Sequence, residues 1–414
     1  MKTYIVVTPF FPTPTSWRGA YCYDFVVSMR RLRPDLRVEV FVPGQPKEYE
    51  LNGLWVHTFP VRRMPSNIFP FLFHKFNESQ FLKAIASLGI DAKDVAVCHG
   101  HTVDCVIYPL ALKRLNPNCI TLLHHHDLAS FGLNNGMLRH FGLYNLIEYS
   151  VLRRYHSQID CHVFISEMSR KSFLSVPDAS WTDYDDYRRQ FRWLRRCRKP
   201  VVKRGVVLHN GVDVQMFYPR PSVEKKNMSF LTIGCIGNFS VLKGQMILLE
   251  AMTKSPVKDF DWRIRFVGSG EIKRDSEQFV ERHGWKERVS FEAEVRHEKL
   301  PDFYRSLDLF VLPSSFEGFG CVFTEAYACG TPFITCEGQG MDDLIPDNER
   351  HLWLVKPHDA DDLARKIRYY FEKRPVQHLA GPISFDELIP PFVEQVMAIA
   401  GENTAYSGHL TVEK

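Results

Sequence analysis

The 414-residue sequence predicts an α/β protein made of two consecutive domains, each with a mainly parallel sheet covered by helices. Two observations support this prediction. Short apolar runs rich in β-branched residues alternate with segments of helical spacing, as in buried parallel sheets. The same alternation starts again after about residue 220, and the chain is long enough for two domains of ordinary size.

The first half contains a βαβ unit followed by further strands. Residues 4–10 form a short apolar run that predicts a buried strand, and prolines then favour a stiff loop that ends at Gly19. Residues 20–32 have helical spacing and residues 37–43 predict a second strand, which completes the unit. Three more strands are predicted in the stretches DVAVCHG, CITLLHHHD and CHVFIS.

The second half repeats this organisation. SFLTIGCIGNFS predicts a strand that runs into a glycine-containing loop, and GQMILLEAMTK predicts a helix. Further strands are predicted in WRIRFVGSGE, RVSFEAEV and LDLFVLPSS. Two successive α/β halves predict two Rossmann-like domains, with a ligand cleft that faces the carboxyl ends of the strands.

The domain boundaries follow from the places where regular structure is interrupted. Two prolines indicate a hinge near residues 210–226. We expect an N-terminal domain over residues 1–212 and a C-terminal domain over residues 213–384. Residues 385–414 should contain one helix, in the stretch FVEQVMAIAG after Pro391, which returns to the N-terminal domain and is followed by a polar tail.

Composition and charge narrow the class of protein. Apolar residues make up 45% of the chain, and the formal net charge of +4 gives no reason to expect nucleic acid as a partner. The 10 cysteines are scattered singly, which favours reduced thiols in a cytoplasmic protein. The N-terminal apolar run is too short for a signal peptide, and no run approaches the ~20 apolar residues of a spanning helix. We expect a cytoplasmic protein, either soluble or peripheral at the inner face of the cell membrane.

The stretch SSFEGFGCVFTEAYACGTP carries two glutamates on either side of a glycine-rich turn. Gly318 and Gly320 disfavour helix, each by about 1 kcal/mol relative to alanine. Glu317 should therefore lie in a loop, and Glu325 in a helix that starts near Gly320. A helix N-terminus favours an anionic ligand, whereas two carboxylates suit hydroxyl groups. A ligand with a phosphate centre and hydroxyls at both ends is a nucleotide sugar.

Four stretches together resemble the retaining glycosyltransferases of family 4, which have two Rossmann-like domains in the arrangement called GT-B. SSFEGFGCVFTEAYACGTPFI resembles the paired-glutamate donor motif of that family, and VLHNGVDVQMFYP resembles its interdomain segment. GCIGNFSVLKGQMILLEAM resembles its diphosphate loop, and RFVGSGE resembles the strand-glycine turn that follows. The resemblance covers most of the chain and implies a GT-B fold with a donor-binding cleft between the domains.

The resemblance implies roles for the residues of the paired-glutamate motif. Glu317 should contact the hydroxyls of the transferred sugar as a catalytic residue, and Glu325 should contact the ribose of the nucleotide. Donor contacts from the turn between them are expected at Gly318, Phe319, Gly320, Cys321 and Val322. Lys243 matches the lysine that neutralises the donor diphosphate, so neither a metal nor a cofactor is expected.

Two loops depart from the family pattern. The position after Gly237 is usually arginine but is Asn238 here, so one charge partner of the diphosphate is missing. Arg18 is expected to replace it from the other domain. Gly19 matches one of two adjacent glycines that are common in that loop. All four residues are predicted donor contacts.

Three consecutive histidines end the strand predicted in CITLLHHHD. A metal site is one interpretation of His124, His125 and His126 with Asp127, because histidine and aspartate are good ligands. Consecutive strand residues point to opposite faces, so the three rings cannot easily converge, and no metal site is predicted. The resemblance aligns His126 and Asp127 with the family's histidine near the sugar and acceptor. His126 is therefore assigned a positioning or proton-handling role.

Residues Arg188–Arg204 carry nine basic residues and no acidic one, within a predicted insertion at about residues 178–204. A solvated helical face is one interpretation, and pairing with the acidic stretch DASWTDYDDY just before is another. The functional interpretation is contact with an anionic membrane surface, since basic residues interleaved with aromatic anchors are typical of interfacial segments.

The resemblance implies a retaining, metal-independent hexosyltransferase. Its donor should be a nucleoside-diphosphate sugar, with UDP as the expected nucleotide, and its acceptor a glycan or a lipid-linked glycan. The stretch CEGQGMDDLIPD resembles a variant among bacterial surface-polysaccharide transferases. Two alternatives stay open: a sugar-nucleotide epimerase of similar fold, and a non-catalytic membrane- or glycan-binding module. The departure at Asn238 favours the second alternative, whereas intact Glu317, Lys243 and Glu325 argue against it.

Overall fold

The structure is a computed structural model that describes residues 1–45, 47–62, 72–126, 128, 142–219, 230–258 and 260–407. It divides into two compact units. Unit 1 consists of Met1–Asn210 and Phe385–Lys414, and unit 2 consists of Gly211–Ser384. Unit 1 is therefore discontinuous in sequence, because the chain completes unit 2 before it returns.

Unit 1 is built on an eight-stranded sheet among its described residues. The strands are β1 (Lys2–Val7), β2 (Leu36–Pro43), β3 (Tyr49–Leu51), β4 (Leu54–Phe59), β5 (Val95–His101), β6 (Ile120–His125), β7 (Cys161–Phe164) and β8 (Gly205–Val207). Their order is β3-β4-β2-β1-β5-β6-β7-β8, and every neighbouring pair is parallel except β3 with β4. The central strands are buried along nearly their whole length, as their continuous apolar runs predict.

Six helices of unit 1 precede residue 210 in the described part of the chain. They are α1 (Ala20–Leu32), α2 (His74–Ser87), α3 (Ile107–Leu115), α4 (Gly142–His156), α5 (Glu167–Ser175) and α6 (Asp185–Phe191). A further helical turn, Arg192–Arg196, continues directly from α6. Buried Phe191 and Leu194 attach this basic segment to unit 1.

The hairpin of β3 and β4 lies at one edge of the sheet, and the sequence analysis does not predict it. The hairpin turns at Asn52 and Gly53, which have positive φ angles of 49° and 78°. Asn-Gly is the preferred pair in such turns because both positions need positive φ. The stretch LNGLW therefore carries a local signal for this element.

Unit 2 is built on a six-stranded, wholly parallel sheet. Its strands are β9 (Leu231–Ile236), β10 (Trp262–Val267), β11 (Val289–Glu292), β12 (Leu309–Val311), β13 (Phe333–Cys336) and β14 (Leu354–Val355). Their order is β11-β10-β9-β12-β13-β14. Because β9 lies between β10 and β12, the loops that follow these three strands leave the same edge of the sheet side by side.

Seven helices of unit 2 accompany this sheet in the described part of the chain. They are α7 (Gln245–Ala251), α8 (Ser255–Lys258), α9 (Lys273–Arg282), α10 (Leu300–Arg305), α11 (Cys321–Ala328), α12 (Arg350–Trp353) and α13 (Ala360–Lys373). Helix α11 has Gly320 as its N-cap, where the sequence analysis expects a helix to start.

Helix α14 (Phe385–Ser407) belongs to unit 1, where it packs against α1 and β6. Its side chains in the core of unit 1 are Phe385, Ile389, Phe392, Val393, Val396 and Ile399. The sequence analysis places a helix after Pro391, but the observed helix begins earlier and includes Pro390 and Pro391. Both prolines are exposed, and burial of the apolar face on either side of them outweighs the backbone hydrogen bonds that they cannot make. None of the helices that the structure describes is long and apolar enough to span a membrane.

Candidate active site

The candidate site of unit 2 lies where the loops after β9 and β12 meet. The loop after β9 passes through a helical turn, Val241–Lys243, to Gly244. After β12, the backbone N–H of Ser315 donates to the carbonyl of Leu242 over 2.9 Å. Gly244 has a φ of 73°, and a Cβ there would lie 2.3 Å from the carbonyl oxygen of Pro313. The two loops therefore touch through their backbones, and only glycine fits at the contact.

This contact brings Lys243 and Glu317 together. Lys243 Nζ lies 2.5 Å from Glu317 Oε2, and the two side chains are 28% and 12% exposed. Glu317 is also held at its backbone, since its N–H donates to Gln339 Oε1 over 2.8 Å. An ammonium group has three N–H donors, so Lys243 can bind an anion alongside Glu317. The pair presents one cation and one carboxylate at the same point of the sheet edge.

The turn between Glu317 and α11 is closely packed. Gly320 has a φ of 82° and a ψ of 76°. Gly340 packs against the turn, and a Cβ on it would lie 1.8 Å from the carbonyl oxygen of Gly318. Phe319 is buried and anchors the turn. The turn is thus held in front of the N-terminus of α11, whose partial positive charge suits an anion.

Glu325 lies in α11, in the second turn of the helix. The hydroxyl of Tyr304, from α10, donates to Glu325 Oε2 over 2.7 Å. Burial raises the pKa of Glu325 to about 7, and the hydrogen bond from Tyr304 acts in the opposite direction. This carboxyl group can therefore change its charge near neutral pH, and in its ionised form both oxygens act purely as acceptors.

The glycines after β9 and β10 allow two backbones to approach closely. A Cβ on Gly268 would lie 2.3 Å from the carbonyl oxygen of Gly237, and a Cβ on Gly270 would lie 2.3 Å from that of Phe239. Both loops leave the same edge of the sheet as the paired-glutamate loop. Asn238, between Gly237 and Phe239, has an exposed side chain at this edge.

In unit 1, Arg18 and Gly19 directly precede α1. Gly19 is the N-cap of the helix with a φ of 88°, and a Cβ there would lie 2.4 Å from the carbonyl oxygen of Phe10. The guanidinium of Arg18 lies 4.8 Å from the centroid of the Phe10 ring, and the side chain is exposed. The assignment of both residues to the donor stays a prediction from the sequence.

His126 directly follows β6 and is partly buried. Its Nε2 lies 2.8 Å from His101 Nδ1, and its ring lies 4.6 Å from that of Tyr21. Burial lowers the pKa of His126 to about 3. A group with so low a pKa is a weak base near neutral pH. These contacts favour the positioning role over the proton-handling role.

The predicted site residues are divided between the two units. Unit 2 contains Gly237, Asn238, Lys243, Glu317, Gly318, Phe319, Gly320, Cys321, Val322 and Glu325, and unit 1 contains Arg18, Gly19 and His126. Asp127 lies outside the described residues. Cys321 and Val322 are the first two residues of α11 and are partly buried.

Three residues that shape the site in unit 2 were missed by sequence reasoning: Tyr304, Gln339 and Gly340. Tyr304 and Gln339 bond to residues 21 and 22 positions away in sequence. Nothing in the local pattern marks such contacts. Gly340 had a signal, since it stands in the glycine-containing stretch CEGQGMDDLIPD.

The sequence of unit 2 matches a known family of domains. Residues 220–381 match the glycosyl transferases group 1 family. The matched range includes Lys243, Glu317 and Glu325, and most of unit 2. Unit 2 therefore carries a group 1 glycosyltransferase domain, and the residues of its candidate site lie within it.

Curated relatives share part of this sequence. D-inositol 3-phosphate glycosyltransferase 1 of Catenulispora acidiphila is 33% identical over 176 residues, which make up 39% of this chain and 42% of the relative. The lipopolysaccharide core biosynthesis mannosyltransferase LpsB of Rhizobium meliloti is 30% identical over 177 residues, or 40% of this chain and 49% of the relative. The chain thus spans less than half the length of each of these two relatives.

A solved structure aligns over nearly the whole chain. The UDP complex of HepE from Anabaena has a TM-score of 0.61 at 17% sequence identity, and the alignment covers 99% of this chain and 100% of that chain. At this identity the similarity shows the fold alone. The prediction of a two-domain α/β GT-B fold with parallel sheets is confirmed.

Proposed function

We propose that the chain is a retaining glycosyltransferase that moves a hexose from a nucleoside-diphosphate sugar, in the first place a UDP-sugar, to a glycan or lipid-linked acceptor. The observation that carries this proposal is the contact of Lys243 Nζ with Glu317 Oε2 beside the N-terminus of α11. A cation and a helix N-terminus suit a diphosphate, and the carboxylates of Glu317 and Glu325 suit sugar and ribose hydroxyls.

The names of similar proteins support this class of reaction. One relative is named for transfer to D-inositol 3-phosphate and another for transfer of mannose in the lipopolysaccharide core. The structure of HepE was solved with UDP. On this basis we propose a role in cell-surface polysaccharide synthesis with a lipid-linked glycan as the acceptor.

In the proposed reaction the acceptor hydroxyl oxygen forms a bond to the anomeric carbon as the bond from that carbon to the β-phosphate oxygen breaks. The acceptor proton passes to the departing phosphate on the same face, which retains the configuration. Lys243 stabilises the charge that develops on the diphosphate, and Glu317 orients the sugar through its hydroxyls. Because Lys243 and the N-terminus of α11 both stabilise this charge, we propose that the donor site works without a divalent metal or a cofactor.

The basic segment Arg188–Arg204 supports peripheral contact with an anionic membrane at the cytoplasmic face. Eight of its nine basic side chains are exposed: Arg188, Arg189, Arg192, Arg195, Arg196, Arg198, Lys199 and Lys203. Trp193 is 48% exposed among them. Arg188 lies 3.3 Å from Asp183, so pairing with the preceding acidic stretch accounts for at least one of these cations among the described side chains. An exposed aromatic side chain surrounded by cations suits a surface of anionic lipids.

Donor hydrolysis tests the proposed function. The purified protein is incubated with UDP-, GDP- and ADP-sugars, with and without EDTA, and the released nucleotide is measured. We expect slow release from one donor that EDTA leaves unchanged. Glu317→Ala and Lys243→Ala should each lower this rate by about 100-fold, as removal of one charge-stabilising group does elsewhere.

A matched control and three other outcomes make this experiment decisive. Lys254 is a partly exposed lysine of unit 2 that pairs with Asp361 over 3.0 Å, so Lys254→Ala should leave the rate unchanged. If no donor or nucleoside diphosphate binds, the chain is a non-catalytic module. Loss of release in EDTA would refute metal independence, and an epimerised donor as the product would indicate the epimerase.

A further inference from the structure

Three buried histidines share one face of the sheet in unit 1. His99 and His101 are two residues apart in β5 and therefore point to the same face. His124 of β6 pairs with His101 in the register of the two strands. The ring centroids lie 4.3 Å apart for His99 and His101, 4.9 Å for His101 and His124, and 5.2 Å for His99 and His124. The three side chains are almost fully shielded from solvent.

The hydrogen bonds around these rings leave one set of nitrogens unused. His99 Nδ1 lies 2.9 Å from the hydroxyl of Tyr4, and His101 Nδ1 lies 2.8 Å from His126 Nε2. Within the described residues, His99 Nε2, His101 Nε2 and both ring nitrogens of His124 are buried without a hydrogen-bond partner. Buried polar atoms without partners are unfavourable, so a ligand that bonds to these nitrogens would stabilise the cluster.

The unused nitrogens cannot all satisfy one another. The rings of His99 and His124 are stacked with an angle of 4° between their planes, an arrangement that does not direct an N–H of one ring at the lone pair of the other. One ring nitrogen from each of the three histidines nevertheless lies within 4.8 Å of the other two. For three lone pairs to meet at one ion, the stacked rings have to rotate, because lone pairs in parallel ring planes do not point to one place.

We propose that His99, His101 and His124 bind a zinc ion inside unit 1. Three imidazole ligands are a common zinc set, with a water in the fourth tetrahedral position. The bonds of the opposite ring nitrogens to Tyr4 and His126 are the kind of outer contact that orients metal-binding histidines.

The proposed zinc site is not formed by the three consecutive histidines of the sequence. His125 points to the opposite face of β6, where its Nε2 lies 2.9 Å from His162 Nδ1. The aromatic rings of Phe25 and Phe392 lie 5.8 and 6.1 Å from that of His99 and cover the cluster. The ligands thus come from two neighbouring strands, and His124 is the one member of the HHH stretch among them.

Zinc at this position would also determine the protonation of His126. A metal on His101 Nε2 requires the proton of that ring to be on Nδ1, which then donates to His126 Nε2. His126 in turn carries its own proton on Nδ1. The zinc ion would therefore stabilise unit 1 and set the tautomer of a residue that the proposed function uses. The site itself does not depend on that function.

Metal analysis of the full-length protein tests this proposal. Protein produced in the presence of zinc is dialysed against EDTA under native conditions, and its zinc content is measured by mass spectrometry. We expect nearly stoichiometric zinc in the unaltered chain and a content lower by about tenfold or more in His99→Gln and His124→Gln. His125→Gln, on the same strand and equally buried, should keep its zinc.

Two results would overturn the proposal: an unaltered chain without zinc, or unchanged zinc in His99→Gln and His124→Gln. If these variants do not fold, cobalt binding to the unaltered protein decides the question. A tetrahedral cobalt absorption spectrum supports the site, and an octahedral spectrum refutes it. Lys243→Ala should keep its zinc, so the result is independent of donor binding.

Discussion

Glu325 is a partly buried carboxyl group, and the role that we propose for it requires its charged form. Its pKa is raised to about 7 by burial, against a usual value of 4.5. The folded chain therefore holds this proton more tightly than the unfolded chain. The contribution of this carboxyl group to the stability of unit 2 is fully present below about pH 4.5 and is lost as the pH rises through about 7.

Donor binding at Glu325 should depend on pH in the opposite direction. If the ionised carboxylate accepts the ribose hydroxyls, affinity for UDP-glucose should rise about tenfold between pH 6 and pH 8, following the ionised fraction of a group with a pKa near 7. UDP-glucose suits this test because its diphosphate does not titrate in that range. Titration calorimetry of the unaltered chain and of Glu325→Gln measures the effect. A flat curve for the unaltered chain, or an equal slope in Glu325→Gln, would contradict it.

Tyr304 provides a second test of the same carboxyl group. Its hydroxyl donates to Glu325 and lowers the pKa that burial raises. Tyr304→Phe should therefore move the midpoint of the pH dependence of UDP-glucose binding upward and weaken binding at pH 7. The phenylalanine ring keeps the aromatic packing, so an altered melting temperature without an altered midpoint would count against this role.

At the scale of elements, the close packing of loops around the paired-glutamate turn limits which glycines can be replaced by a larger residue. A Cβ on Gly340 would lie 1.8 Å from the carbonyl oxygen of Gly318, so Gly340→Ala must displace one of the two backbones. We expect a loss of about 1–3 kcal/mol in stability and at least about tenfold weaker donor binding, since small misplacements of positioning groups are costly. Gly381→Ala is the control, because its Cβ would meet the nearest atom at an ordinary 3.5 Å. Equal behaviour of the two variants would show that the turn is not rigid.

We expect the basic segment Arg188–Arg204 to bind anionic vesicles. Each arginine near an anionic bilayer contributes about 1 kcal/mol, so the double change Arg195→Gln and Arg196→Gln should weaken binding to phosphatidylglycerol vesicles by about 30-fold. Trp193→Ala should weaken it further. Co-sedimentation with phosphatidylglycerol and with phosphatidylcholine vesicles measures the effect, and Lys254→Gln with Lys286→Gln is the control. If the double change does not alter vesicle binding, the segment is a solvated surface and not a membrane contact.

The prediction of helices and strands succeeded where the local sequence pattern and the tertiary packing favour the same structure. The apolar run that includes Tyr4 forms β1, and the glycine at Gly320 starts α11. It failed where distant packing decides. Helix α14 continues through Pro390 and Pro391 because its apolar side chains are buried in unit 1. The residues next to the prolines in the sequence do not reveal this burial.

The candidate site shows the same division. Glu317, Glu325 and Lys243 stand in recognisable sequence motifs, so these residues and the ones next to them in the chain could be predicted as site residues. The hydrogen bonds of Tyr304 and Gln339 depend on which loops leave one sheet edge together. The histidine cluster depends on the register of β5 and β6, which pairs His101 with His124. Strand register is set by the whole sheet and cannot be read from either segment.

For the whole molecule, the discontinuity of unit 1 has a measurable effect on stability. Six apolar side chains of α14 are buried in its core. At about 1.5–3 kcal/mol each, their loss would match or exceed the ~5–15 kcal/mol that holds a typical domain together. A chain that ends at Ser384 should therefore contain an unfolded unit 1.

Limited proteolysis with mass spectrometry measures this outcome. In a chain that ends at Ser384, sites within residues 1–210 should be cleaved rapidly, while residues 211–384 resist. A chain that ends at Ser407 should behave like the unaltered protein. Protection of residues 1–210 in the shorter chain would show that α14 is not needed for the fold of unit 1.

The return of α14 also reverses the usual order of folding during synthesis. Domains normally fold in the order in which they leave the ribosome, but the first 210 residues lack part of their core until the last helix emerges. Unit 2 is continuous in sequence and can fold first. Until α14 is made, the apolar side chains of residues 1–210 that pack against it stay exposed to solvent. The nascent chain should accordingly be a target for chaperones that bind exposed apolar segments until α14 has emerged.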